Sequence, residues 1–146
     1  MKLQYVLFLT LVAIGCVLMQ NGTRAGDKDK KDPPKKEEFI DIVVNDALTN
    51  ADLKDKVRAQ SFCKTYVLKM TEGKSYQIDM TSADFDSYLR LENKAGEPLA
   101  ADDDSGGFPN ARIIFRAAKT EDFTIIATTY GGGSTGKYRV TVKEVR

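Results

Sequence analysis

The chain has 146 residues, with 22 basic and 21 acidic side chains and no histidine. The missing imidazole removes the commonest general base and transition-metal ligand, and it excludes serine–histidine and cysteine–histidine catalysis. A near-neutral balance supplies no overall field to hold the chain on nucleic acid or on an acidic membrane surface.

Lys2 is followed by an apolar stretch from Leu3 to Met19, interrupted by Gln4, Thr10 and Gly15. A basic start, an apolar run and a small-residue exit predict a secretory signal peptide over residues 1–25, cut after Ala25 to leave Gly26. The run is short for a membrane-spanning helix, which needs roughly 20 residues, so a retained anchor is the rival reading. Ala13-Ile14-Gly15-Cys16 also resembles the lipobox of bacterial lipoproteins, in which the cysteine is lipidated. Simple secretion fits better, because Ala13 stands where leucine is usual and Val17-Leu18-Met19 continues the apolar run. The expected location is secreted, periplasmic or in the cell envelope, with membrane attachment only through Cys16. Removing residues 1–25 takes Lys2 and Arg24 and no acidic residue, leaving 20 basic and 21 acidic side chains.

Residues 26–38 are charged and contain Pro33-Pro34, so they cannot bury apolar surface and read as a solvated linker. The domain is expected over residues 39–146. Phe39-Ile40-Asp41-Ile42-Val43-Val44 opens it as a strand, and the polar segment from Asn45 to Gln60 follows, in which Asn50 caps a helical turn through Lys56. Cys63, alone once Cys16 is removed, falls in an apolar pattern and reads as a buried, inert thiol.

Alternation then predicts strand after strand. Tyr66, Leu68 and Met70 alternate with polar neighbours, Glu72-Gly73-Lys74 turns the chain, and Tyr76, Ile78 and Met80 alternate with Gln77 and Asp79. Leu89 and Leu91 carry the next strand. Asn93-Lys94-Ala95-Gly96 makes a hairpin to a short edge strand at Pro98 to Ala101. Ile113 and Phe115, then Phe123, Ile125 and Ala127, then Tyr138, Val140 and Val142 complete the series. About eight strands with no long helix predict an all-β fold, an antiparallel jelly-roll-like β-sandwich.

Chemistry is expected in the loops. Asp102-Asp103-Asp104-Ser105 places three neighbouring carboxylates before Gly106-Gly107. Such groups repel unless hydrated, hydrogen-bonded or neutralised by a cation. Calcium, which takes about six to eight hard oxygen ligands, suits them, with Asp84 and Asp86 as further ligands. The competing reading is a solvated turn in which one aspartate caps backbone N–H groups. The spacing does not match an EF-hand loop.

Gly131-Gly132-Gly133-Ser134-Thr135-Gly136-Lys137 approaches phosphate-loop spacing, but Tyr138 and a strand follow it. A phosphate loop needs Ser or Thr and then a helix, so no nucleotide site is expected, and the glycines read as a hairpin loop joining the last two strands. Tyr66, Tyr76, Tyr88 and Tyr138 sit at core-type positions. Phe108, in Gly-Gly-Phe-Pro, and Tyr130, beside the glycine loop, are the candidate ligand-binding aromatics.

Taken together, Gly73-Lys74-Ser75-Tyr76, Asp84 to Leu91, Gly96, Leu99-Ala100, Asp102 to Gly107, Asn110-Ala111-Arg112 and Gly136-Lys137-Tyr138 resemble the bacterial pre-peptidase C-terminal (PPC) domain family. With Phe39 to Met70 the likeness spans the whole domain. It implies a jelly-roll sandwich that accompanies secreted proteases and other extracellular enzymes as a non-catalytic appendage. Some such domains are removed during maturation, and some in collagenases bind calcium and collagen. Those relatives' calcium ligands lie largely on the domain's N-terminal side, so Asp102 to Asp104 rest on their own chemistry.

The expected function is thus a secreted, non-catalytic binding module with an extracellular protein or polysaccharide as ligand. An accessory protein or inhibitor of a separately encoded extracellular protease is the alternative. A hydrolase using Asp84 and Asp86 as acid and base is the least favoured reading.

Overall fold

The structure, a computed structural model, describes residues 41–146. The signal segment, Cys16, the linker over residues 26–38 and Phe39-Ile40 lie outside the described residues. Nine strands form: β1 (Asp41–Leu48), β2 (Leu53–Lys54), β3 (Phe62–Met70), β4 (Ser75–Thr81), β5 (Ser87–Glu92), β6 (Pro98–Asp102), β7 (Ala111–Arg116), β8 (Glu121–Thr129) and β9 (Gly136–Val145). No helix appears among the described residues.

The strands make two sheets, a four-stranded one ordered β1-β9-β4-β7 and a five-stranded one ordered β2-β3-β8-β5-β6. Every pairing is antiparallel. The sheets stack as a sandwich because each has one apolar face to bury. Tyr76, Ile78 and Met80 of β4, with Tyr138, Val140 and Val142 of β9, meet Tyr66 and Met70 of β3, Leu89 and Leu91 of β5, and Phe123 and Ile125 of β8. Alternation is sharp: in β7, Ile113 is 4% exposed and the adjoining Ile114 67%. Burying one such side chain contributes about 1.5–3 kcal/mol, enough to lock the register.

Several local expectations are met. The β5–β6 hairpin closes at Asn93, whose Oδ1 accepts the Ala95 and Glu97 N–H groups at 2.9 Å each, while Gly96 takes φ 81°. The strand at residues 136–145 follows the glycine loop as expected.

Others are corrected. The polar segment after Val44 does not start at Asn45, because β1 pairs with β9 through Leu48. The helical turn capped by Asn50 is absent. Instead Asp52 Oδ2 accepts the Thr49 N–H at 2.7 Å, and Leu53 and Lys54 pair with Cys63 and Phe62 of β3. The glycine loop is not a hairpin: β9 is flanked on both edges by β1 and β4, so the loop carries the chain from one sheet to the other. Cys63 is partly exposed, not fully buried, although its environment still pushes the thiol up to about 11. Burial is the main cause, followed by the nearby Asp55 carboxylate.

Candidate ligand-binding loop end

Four connections gather at one end of the sandwich: residues 55–61, 82–86, 103–110 and 130–135. The first is held from beneath. Arg90, on the outward face of β5, is only 5% exposed, and its guanidinium grips Asp55 through Nε at 3.1 Å and through Nη2. Arg90 Nη1 also donates to Glu92 Oε1 at 2.8 Å, and Lys56 Nζ donates to Glu92 Oε2 at 2.9 Å. Asp55 in turn accepts the Val57 and Arg58 N–H groups at 3.3 Å each. Burial alone would raise the Glu92 carboxyl, but the hydrogen bonds and charges of Lys56 and Arg90 outweigh it and hold the group below its ordinary value. The network clamps the β2–β3 connection over the five-stranded sheet, which is why Ile126 and Thr128, on the outward side of β8, are buried too.

This clamp positions Arg58. Its guanidinium carbon lies 4.2 Å from the Tyr88 ring centroid and 4.7 Å from that of Tyr130, and Nε donates to the Thr129 carbonyl at 3.2 Å. Tyr88 and Tyr130 stand 6.3 Å apart at 44°, so the three side chains form one cation–π assembly. Tyr130 is 51% exposed and Phe108 78% exposed. Both predicted aromatics are therefore on the surface. Tyr88 is not a core residue as its position suggested; it stands on the outward face beside Arg58.

The carboxylates have three different surroundings. Asp102 closes the β6–β7 turn: Oδ2 accepts the Ser105 N–H at 3.0 Å and the Arg112 N–H at 2.8 Å, and Oδ1 accepts the Ser105 hydroxyl at 2.5 Å. Asp84 braces the last loop, accepting the Lys137 N–H at 2.6 Å. A Cβ on Gly136, at φ 143°, would lie 2.3 Å from Asp84 Cβ, so only glycine admits that approach. Asp86 lies near Asp103 and Asp104. Burial, then repulsion from Asp104 and Asp103, raises its carboxyl, with Arg58 opposing, and its buried Oδ1 has no hydrogen-bond partner among the described residues. Among the described residues no three His, Cys, Asp or Glu side chains are gathered closely enough to hold a metal ion.

Asp55, Arg58 and Glu92 were not singled out in the sequence, and Arg90 entered only as part of the Asp84–Leu91 run. Arg90 and Glu92 alternate with Leu89 and Leu91, a pattern that ordinarily means solvent on the polar side.

No family model matches the chain, and no curated protein matches it by sequence. Among solved structures the chain is similar to the crystal structure of the pre-peptidase C-terminal domain of a collagenase from Bacillus anthracis. The TM-score is 0.55 and the identity 16%, over 71% of this chain and 90% of that one. The likeness establishes the fold: the described domain is a β-sandwich of PPC-like architecture.

Proposed function

We propose that this protein is a non-catalytic accessory module of the pre-peptidase C-terminal type, acting outside the cell and contacting an extracellular ligand through its loop end. The observation that carries this reading is Arg58 held between Tyr88 and Tyr130, beside the exposed Phe108, on a loop clamped by buried ion pairs. A rigid aromatic surface loses little conformational freedom on binding, which is what a recognition site requires. Asp86, Asp103 and Asp104 do not gather into a metal-holding cluster, so a calcium ion beside them would have to draw most of its oxygen ligands from backbone carbonyls and water.

Retention of the protein on insoluble collagen and on insoluble polysaccharide tests the loop end. Tyr130→Ala and Phe108→Ala should each reduce retention without altering the melting curve; wild-type retention by the double variant rejects the site. Millimolar calcium should raise Tm and chelator should reverse it, and an unchanged curve removes the metal. The second reading, an accessory protein or inhibitor of a protease, draws on the collagenase origin of the similar domain. It predicts altered activity of a secreted collagenase when this protein is added.

A further inference from the structure

The outer face of the four-stranded sheet carries a second surface, separate from the loop aromatics. Tyr138, Val140 and Val142 of β9 are in the core, so Lys137, Arg139, Thr141 and Lys143 point the other way. On β7, Ile113 is buried, so Arg112, Ile114 and Arg116 share that outer face. Register places Thr141 beside Asp79, which lies beside Arg112, and places Lys143 beside Gln77, which lies beside Ile114. The face thus holds five cations, Lys137, Arg139, Lys143, Arg112 and Arg116, against two carboxylates, Asp41 and Asp79. Arg112 donates to Asp79 at 2.5 Å, whereas Lys137, Arg139, Lys143 and Arg116 make no ion pair among the described residues. The near-neutral total charge conceals this segregation.

At the loop end of the face the surface becomes concave. An open groove of about 790 Å³ is lined by Asn45, Thr81, Ser82 and Asn110, by the cations Lys137 and Arg139, and by Asp46, whose carboxylate is already paired with Lys64 at 2.7 Å. Amide and hydroxyl side chains flanked by cations suit a sugar carrying an acidic group. Beyond the groove, Lys143 lies four positions from Arg139, about 13 Å along β9 with Thr141 between them, and continues the positive charge away from it. We propose that this groove and basic face bind a linear acidic polysaccharide, one unit in the groove and successive anionic groups along β9 and β7.

Two other polyanions fit less well. The face has no aromatic side chain on which single-stranded bases would stack, and no projecting element to enter a duplex groove. Its exposed aliphatics, Val43 and Ile114, stand apart on strands at opposite edges of the sheet, so they form no patch to embed in a bilayer.

The test is calorimetric titration of the full chain with a heparin oligosaccharide, with duplex DNA and anionic phospholipid vesicles as comparison probes at the same ionic strength. Arg139→Glu/Lys143→Glu should weaken heparin binding about tenfold or more. Lys69→Glu/Lys94→Glu, which makes the same change in net charge elsewhere, should leave it within about threefold. Asn45→Trp, which puts a bulky side chain into the groove lining without altering charge, should also weaken it. Absence of heparin binding, or full affinity in either the charge-reversal or the groove variant, overturns the proposal. Equal binding of DNA or vesicles through the same residues also overturns it, by assigning the face to another polyanion. Heparin affinity should survive Tyr130→Ala and Phe108→Ala, which keeps this surface distinct from the loop end.

Discussion

The outward faces of the two sheets are built from the same kind of strand and end in opposite states. On β5, Arg90 and Glu92 are sealed under the β2–β3 connection and satisfied by Asp55 and Lys56. On β9, Arg139 and Lys143 stand in solvent and make no ion pair among the described residues, although the register sets Asp41 across from Lys143. A polar residue alternating with core leucines or valines therefore has two fates, decided by whether another segment lies over it. Where it is covered, charge becomes structural and must be fully paired. Where it is bare, charge adds little to stability and is available for binding.

Breaking the covered face should have the largest effect. Arg90→Ala leaves Asp55 and Glu92 buried without their cation and should cost about 3–5 kcal/mol in urea unfolding. A cost under about 1 kcal/mol would mean that the clamp is solvated in solution. Glu92→Gln should cost about 1–3 kcal/mol at neutral pH. Glu92 is held below its ordinary value, so its ionised form stabilises the fold above the unfolded-state value, and that contribution disappears as pH falls through the lower folded value. The gap between wild type and variant should therefore close in acid, and a constant gap would disprove the ionic origin.

Asp86→Asn should act in the opposite direction. Its carboxyl is raised, so at neutral pH the ionised group opposes folding, and the penalty vanishes as pH falls through the raised folded value. The variant should gain less than about 1 kcal/mol at pH 7 and nothing in acid, measured by thermal melts across pH. The same variant should reduce any calcium-induced rise in Tm. Smallest of all, Arg139→Glu/Lys143→Glu should change stability by no more than about 0.5 kcal/mol, because nothing covers these side chains. A large loss there would show that the two faces are not different in kind.

Much of the candidate site was readable only as a set of separate signals. Phe108 and Tyr130 stood out because glycine and proline flank them, and exposure agrees. Asp102 to Asp104 stood out as an acidic run, yet Asp102 is engaged in closing the β6–β7 turn and Asp86 lies near Asp103 and Asp104. Arg58 was invisible because its partners, Tyr88 on β5 and Tyr130 just after β8, are distant from it in sequence. The strand after the glycine loop was legible in the sequence, but the loop's role as a sheet crossing depended on β1 and β4 both pairing with β9.

Period-two alternation was enough to settle most strands and their apolar sides, because burial of one face acts residue by residue, but it missed β2, ended β1 early and put Tyr88 on the wrong side. Local turn chemistry, such as Asn93 with Gly96, was equally self-contained. What lay above each polar face, which carboxylates met and where the cations collected depended on register and on sheet order. Those are long-range pairings, and no short stretch of chain encodes them.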